Sequence, residues 1–151
     1  MARPRLKLED FLPYRLSLAS NAVSQVIARS YERLFDLKMP EWRVVTVLAE
    51  AGELTQQDIV GRTKMDKVTV SRAARVLERR KLVRRQQNAE DGRSLRLSLT
   101  RSGKALYERV VPTALDFEAD VLSGLTTREV TTLLKVLQKL ETSAARVLAG
   151  R

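Results

Sequence analysis

Five side chains at helical spacing, Lys67, Ser71, Arg72, Arg75 and Arg79, gather cations and a hydroxyl on one side of the run 66–80. Val70, Ala73, Ala74 and Leu77 recur at i, i+3, i+4 and i+7 on the other side, a narrow apolar stripe. The two alanines allow such a helix to lie close on its support, and Asp66 stands where an N-cap carboxylate can accept the first free N–H groups. Arginine forks, a lysine and hydroxyls are what base edges and phosphates of a duplex bind. The chemistry implied is recognition of nucleic acid, and the run 66–80 has the character of a recognition helix.

Catalysis finds much less material. The 151 residues contain no His and no Cys. That excludes disulfides, thiol redox sensing, Cys/His zinc sites and any His-dependent triad, so no catalytic residue and no metal site is assigned. Carboxylates remain, and Asp116, Glu118 and Asp120 cluster weakly on one predicted helix, where a solvated surface explains them better than an active site. Nothing points to an enzyme.

The net charge is +10, and its placement matters more than its size. Residues 55–104 hold 14 of the 28 Lys and Arg but only 5 of the 18 Asp and Glu, which leaves +1 for the rest of the chain. A solubility surplus would be spread evenly, whereas a surplus in one third marks a polyanion-binding surface. A hydrophobic fraction of 44% suits a folded soluble domain. No apolar run approaches the ~18 residues of a membrane span. Arg3, Arg5 and Lys7 make a basic start, but Glu9, Asp10, Arg15 and Asn21 interrupt any signal-like apolar stretch, so the expected location is the cytoplasm.

The elements that must position the cationic face follow from periodicity and punctuation. Residues 1–9 suggest a loose basic arm. From about Phe11 to Phe35, Leu12, Leu16, Val23, Val26, Ile27, Tyr31 and Leu34 fall at helical spacing, with Pro13 in the first turn. A helix this long is either a cover for its own core or an arm that forms a dimer. A second helix begins at Pro40 or Glu41, buries Trp42, Val44, Val45, Val47 and Leu48, and ends at Gly52; Trp42 suits the core or a pocket wall. Thr55 caps a short helix, Gln56 to Arg62, with Ile59 and Val60 inward, and Thr63-Lys64-Met65 turns tightly into the recognition helix. Two short helices joined by three residues are helix-turn-helix geometry.

Residues 81–99 predict a β-hairpin with a long polar loop at Asn88–Gly92, and Leu95, Leu97 and Leu99 alternate with Arg96 and Ser98 as in a half-buried strand. Its charged tip is either a solvated loop or a wing whose Arg93 enters a narrow minor groove. Thr100 caps a helix reaching about Leu122, with Pro112 inside it as an expected kink. Thr126 and Glu129 form a capping box. The last helix carries a seam of Val130, Leu133, Leu137, Leu140, Ala144 and Val147, with Leu134 beside it, suited to a helix–helix interface. The class is mainly α (α+β), a winged helix-turn-helix: 37–100 form the DNA-binding lobe, and 1–36 with 101–151 supply the dimerisation helices.

Thr69-Val70-Ser71-Arg72, Leu77-Glu78-Arg79-Arg80-Lys81-Leu82-Val83, Asp91-Gly92-Arg93-Ser94 and Leu99-Thr100-Arg101-Ser102-Gly103 resemble the MarR family of bacterial winged-helix regulators, usually dimeric repressors. The resemblance runs from about Leu12 to the C-terminus. It implies a triangular homodimer with interlocking first and last two helices, a recognition helix in the major groove and a wing arginine in the minor groove. By resemblance Arg93 matches the groove-inserting arginine, and Thr69, Ser71 and Arg72 match positions that touch bases or phosphates. Asp91 matches an aspartate that braces the wing by pairing with a basic group. Lys81 departs from a common glycine, so it must turn left-handed or use another cap.

The expected function is a dimeric regulator of double-stranded DNA. Lys64, Lys67, Arg79 and Arg84 would bind phosphates, and Ser71, Arg72 and Arg75 base edges; Thr69, Asp91, Arg93 and Ser94 complete the DNA-binding set. A pseudo-palindromic operator with half-sites about one helical turn apart fits a two-fold dimer. The alternative is a non-specific nucleic-acid or protein-docking module on the same fold. No cofactor is expected beyond a small aromatic or acidic effector, which the resemblance places in a crevice drawing on Tyr14, Arg15, Tyr31, Phe35 and Trp42. Operator, genes and effector identity are not encoded legibly.

Overall fold

The computed structural model describes residues 5–150. Arg3 and the rest of residues 1–4, part of the expected basic arm, lie outside the described residues; Leu8–Asp10 form a turn of 3-10 helix, not irregular chain. The elements are α1 (Leu12–Phe35), α2 (Met39–Ala51), β1 (Leu54–Thr55), α3 (Gln56–Thr63), α4 (Lys67–Arg79), β2 (Val83–Gln87), β3 (Leu95–Leu99), α5 (Arg101–Leu122) and α6 (Thr127–Ala149). The chain divides into two compact units, one ending at Ala114 and one of residues 115–151.

In the first unit the core lies among α2, α3, α4 and a three-stranded antiparallel sheet. Val44, Val45, Ile59, Val70, Ala74, Leu77 and Leu97 are fully buried there. The sheet order is β1-β3-β2, with Leu97 opposite both Leu54 and Arg85. The two-residue β1 was not anticipated, because so short a segment shows no period. It makes β3 the central strand, and along β3 the expected alternation is not kept: Ser98 is buried, whereas Leu95 is 42% exposed. Ser98 sits at the hairpin base beside Leu48, Lys104 and Tyr107, while Leu95 lies towards the tip, past the core.

The sequence signals for helix ends hold. Thr55 caps α3 with Asp58 reciprocating, Asp66 caps α4, and Thr126 with Glu129 caps α6. Gly52 ends α2 at φ +84, and Lys81 takes the left-handed conformation at φ 58. α5 runs unbroken through exposed Pro112, and the boundary between the units falls two residues beyond it.

In the second unit α6 spans 23 residues and buries none of them. Leu133, Leu134, Val136, Val147 and Leu148 are 43% to 78% exposed.

Candidate nucleic-acid interface

Three residues, Lys64 to Asp66, join α3 to α4. Lys64 closes α3 in a left-handed conformation, and buried Met65 pins the turn to the core. Asp66 then starts α4: its Oδ1 accepts the Thr69 N–H at 2.8 Å and its Oδ2 the Thr69 hydroxyl at 2.7 Å. The Thr69 hydroxyl, followed by the Thr69 N–H, holds the Asp66 carboxyl below its ordinary pKa. The bonds fix the direction in which the helix leaves the turn.

With Val70, Ala73, Ala74 and Leu77 buried, the opposite side of α4 faces outward. Lys67, Arg72, Arg75 and Arg79 are exposed and Ser71 is half-buried. Arg72, Arg75 and Arg79 line a groove shared with Lys38, Pro40 and Glu41 at the start of α2. None of these three arginines has a hydrogen-bond or ion-pair partner among the described residues. Four forked or pointed cations without internal partners on one helix face form an anion- and base-reading surface. Val68, 58% exposed at the first turn, belongs to that face and was overlooked. An isolated apolar residue between Lys67 and Thr69 was the available signal, since thymine methyls are read by apolar contact.

The wing is built by its own backbone. Asn88 N–H donates to Ser94 O at 2.9 Å and Ser94 N–H to Asp91 O at 3.0 Å. Asn88 Nδ2 donates to the Ser94 hydroxyl at 2.9 Å, and that hydroxyl donates to Asp91 O at 3.3 Å. These bonds leave the exposed Arg93 side chain at the tip, with no partner among the described residues.

The structure adds detail to four of these expectations. Asp91 makes no ion pair among the described residues; its Oδ1 accepts the Arg93 backbone N–H at 3.1 Å, because the Asp-Gly-Arg turn satisfies the carboxylate locally. Ser94 is a loop brace, its hydroxyl engaged on both sides. Arg84 sits at the base of the hairpin opposite Ser98, its Nε bonded to the Ser98 hydroxyl at 3.0 Å, on the sheet face away from its neighbour Arg85. Arg85 reaches α4 with a two-pronged bond to Glu78, both contacts 2.9 Å, so Arg84 points away from the α4 face. Last, Tyr14 and Arg15 begin α1 and Tyr31 and Phe35 end it, which puts about 25 Å of helix between the pairs. One chain does not assemble the crevice expected from those residues. Trp42 instead packs edge-on to Tyr31 (centroids 5.5 Å) and stacks on Tyr107 (5.7 Å), an aromatic partner the sequence had not indicated.

Comparison with known proteins matches this arrangement. The model of the MarR family matches residues 35–94, from the end of α1 to the wing. The homoprotocatechuate degradative operon repressor of Escherichia coli is 30% identical over 102 residues, 68% of each chain. The chain belongs to the MarR family. A MarR/EmrR family transcriptional regulator from Acinetobacter sp. ADP1 is 26% identical, with a TM-score of 0.86 over 93% of this chain and 99% of that one. The Staphylococcus aureus MepR–DNA complex is 28% identical, with a TM-score of 0.79 over 88% and 98%. The winged helix-turn-helix is therefore the fold of this MarR-family chain, and among its described residues no helix is long and apolar enough to cross a membrane.

Proposed function

We propose that this protein is a homodimeric transcriptional regulator, a repressor by default, that binds a pseudo-palindromic operator in double-stranded DNA in the cytoplasm. The observation that carries the proposal is the row Lys67, Arg72, Arg75 and Arg79 along one face of α4, with Arg93 at the wing tip, all without a hydrogen-bond or ion-pair partner among the described residues. Ser71, Arg72 and Arg75 read base edges in the major groove, Lys64, Lys67 and Arg79 hold phosphates, and Arg93 enters the minor groove. Thr69, with its only hydroxyl proton committed to Asp66, can only accept a bond from a base. Asp91 and Ser94 shape the loop that presents Arg93.

The unburied α6 supports a second copy as partner, and 1–36 with 101–151 remain its proposed dimerisation segments. A small aromatic or acidic effector belongs to the proposal as the family's usual partner; of the residues expected for it, Tyr31 and Trp42 are in ring contact, with Phe35 one helical turn beyond Tyr31. Such a ligand acts only by favouring one dimer geometry over the other.

The test is selection from random duplex DNA at about 150 mM salt, with Arg93→Ala in parallel. A pseudo-palindrome enriched by the wild type, and bound about 1–3 kcal/mol more weakly by the variant, is expected. Binding at low salt without any enriched sequence would favour a non-specific module instead, since specific regulators prefer their sites by ~10³ or more.

A further inference from the structure

We propose that Arg80 is a positioning residue for DNA reading, one that clamps the end of α1 to the end of the recognition helix and touches no DNA. The proposal rests on the nucleic-acid reading above. Arg80 lies in the most cationic stretch of the chain, Arg79-Arg80-Lys81, where sequence alone would count it toward the phosphate contacts. The geometry assigns it elsewhere. Its Nη1 donates to the Asp36 carbonyl and its Nη2 to the Phe35 carbonyl at 3.2 Å.

Those acceptors are what a helix C-terminus leaves without internal partners. Asp36 turns left-handed at φ 50, its N–H donating to Glu32 O at 3.1 Å, and Leu37 N–H closes on Tyr31 O at 3.3 Å. The carbonyls of Phe35 and Asp36 face outward to the guanidinium. A planar fork suits two neighbouring oxygens, and a cation suits the negative end of the helix. Both ends of the clamp are anchored. Leu37 is fully buried and Tyr31 packs on Trp42, which fixes the α1 terminus to the core. Arg80 is itself the C-cap of α4, its N–H donating to Val76 O at 3.1 Å, so any displacement of it reaches the last turn, which carries Arg79 and adjoins Arg75. Through this fork the posture of α1 sets the posture of α4.

The test compares Arg80→Lys and Arg80→Gln with Arg79→Gln, all in the full chain and all verified as folded by thermal unfolding. In free protein the emission of Trp42, the sole tryptophan, reports the α1 terminus through Tyr31. Both Arg80 variants are expected to shift it, and Arg79→Gln to leave it unchanged. On the duplex enriched by the selection, both Arg80 variants are expected to lose roughly tenfold in affinity, about one charge-assisted hydrogen bond, with the salt slope unchanged. Arg79→Gln should make that slope shallower by about 2 for a dimer. Lysine keeps the charge but not the fork, so wild-type affinity in Arg80→Lys would overturn the proposal. So would a shallower salt slope in Arg80→Gln, which would mark a phosphate contact, or wild-type Trp42 emission in both variants. If the wild type selects no duplex, the functional reading fails, and the emission alone decides whether the clamp exists.

Discussion

Asp66 takes both protons that Thr69 can offer, and that small fact changes how the recognition face is to be counted. Side-chain type says what a residue can bind; only geometry says whether the group is already bound. Of the five cations between Arg79 and Arg85, three have partners within the fold: Arg80 on α1 carbonyls, Arg85 on Glu78, and exposed Arg84 through its Nε on Ser98. The charge surplus in residues 55–104 was legible, but its division between architecture and DNA was not, because the partners lie 7 to 45 residues away in sequence. With Arg84 removed, a dimer neutralising about 6–10 phosphates should show a salt slope of roughly −5 to −9. Val68 poses the opposite case, an exposed apolar side chain on the cationic face that the sequence reading passed over. Replacing thymidine by deoxyuridine at each contacted position of the enriched duplex removes one methyl at a time. One such position should cost the wild type about 0.8 kcal/mol and Val68→Ala almost nothing. Equal penalties in the two proteins at every position would remove Val68 from the reading set.

The elements whose ends carry capping chemistry were legible almost residue by residue, since an Asp or Thr before an apolar period acts locally and needs no tertiary information. The close approach of α5 to the hairpin was not, although Leu99-Thr100-Arg101-Ser102-Gly103 stood out as a motif. The structure supplies its reason. Thr100 donates its hydroxyl to Lys81 O at 2.7 Å and accepts the Gly103 N–H at 3.1 Å, drawing the first turn of α5 onto the chain that follows α4. A Cβ on Gly103 would lie 2.0 Å from Leu82 O, a backbone atom that cannot step aside. Gly103→Ala should therefore lower stability by about 1–3 kcal/mol or more in denaturant titration, with no glycine-specific φ involved. An unchanged midpoint would mean that the two segments are not packed as described. The caps make a separate prediction about acid. Hydrogen bonds from Thr55 to Asp58, from Thr69 to Asp66 and from Thr126 to Glu129 hold the three carboxyls below their ordinary pKa. A depressed folded-state pKa gives stability that is complete above the ordinary value near 4 and is lost as pH falls through the depressed one. Melting temperature should fall below about pH 4, and less steeply when Asp66 is changed to Asn, which still caps but does not titrate, and when Asp58 is changed to Asn, whose amide oxygen can still accept the Thr55 N–H. Parallel profiles would assign the acid sensitivity to other groups.

At the scale of the whole molecule the decisive feature is apolar surface that one chain does not cover. The heptad-like seam of α6 was readable in sequence, but a seam does not say what lies against it. A 23-residue helix with no buried residue has its apolar stripe at best half-covered within its own chain, at Val130, Leu137 and Leu140, and helices in proteins draw most of their stability from packing such a face. Leu12, Leu18, Val26 and Leu34 of α1 are likewise 42% to 54% exposed. That favours the arm over the cover among the two roles open to the first helix. Leu134, 64% exposed in the single chain, offers a sharp probe. If a second copy buries it, Leu134→Glu places a charge in an apolar interface and should convert a dimer at micromolar concentration into monomer by sedimentation. It should leave the separate core around Val44, Ile59 and Leu77 folded. A monomer presents one α4 face and one wing to the duplex, so the salt slope should fall to about half and operator affinity by several orders of magnitude, while preference for a single half-site persists. A Leu134→Glu protein that stays dimeric and binds the full operator like wild type would remove α6 from the interface. The pairing that gives a pseudo-palindrome its spacing would then have to come from α1.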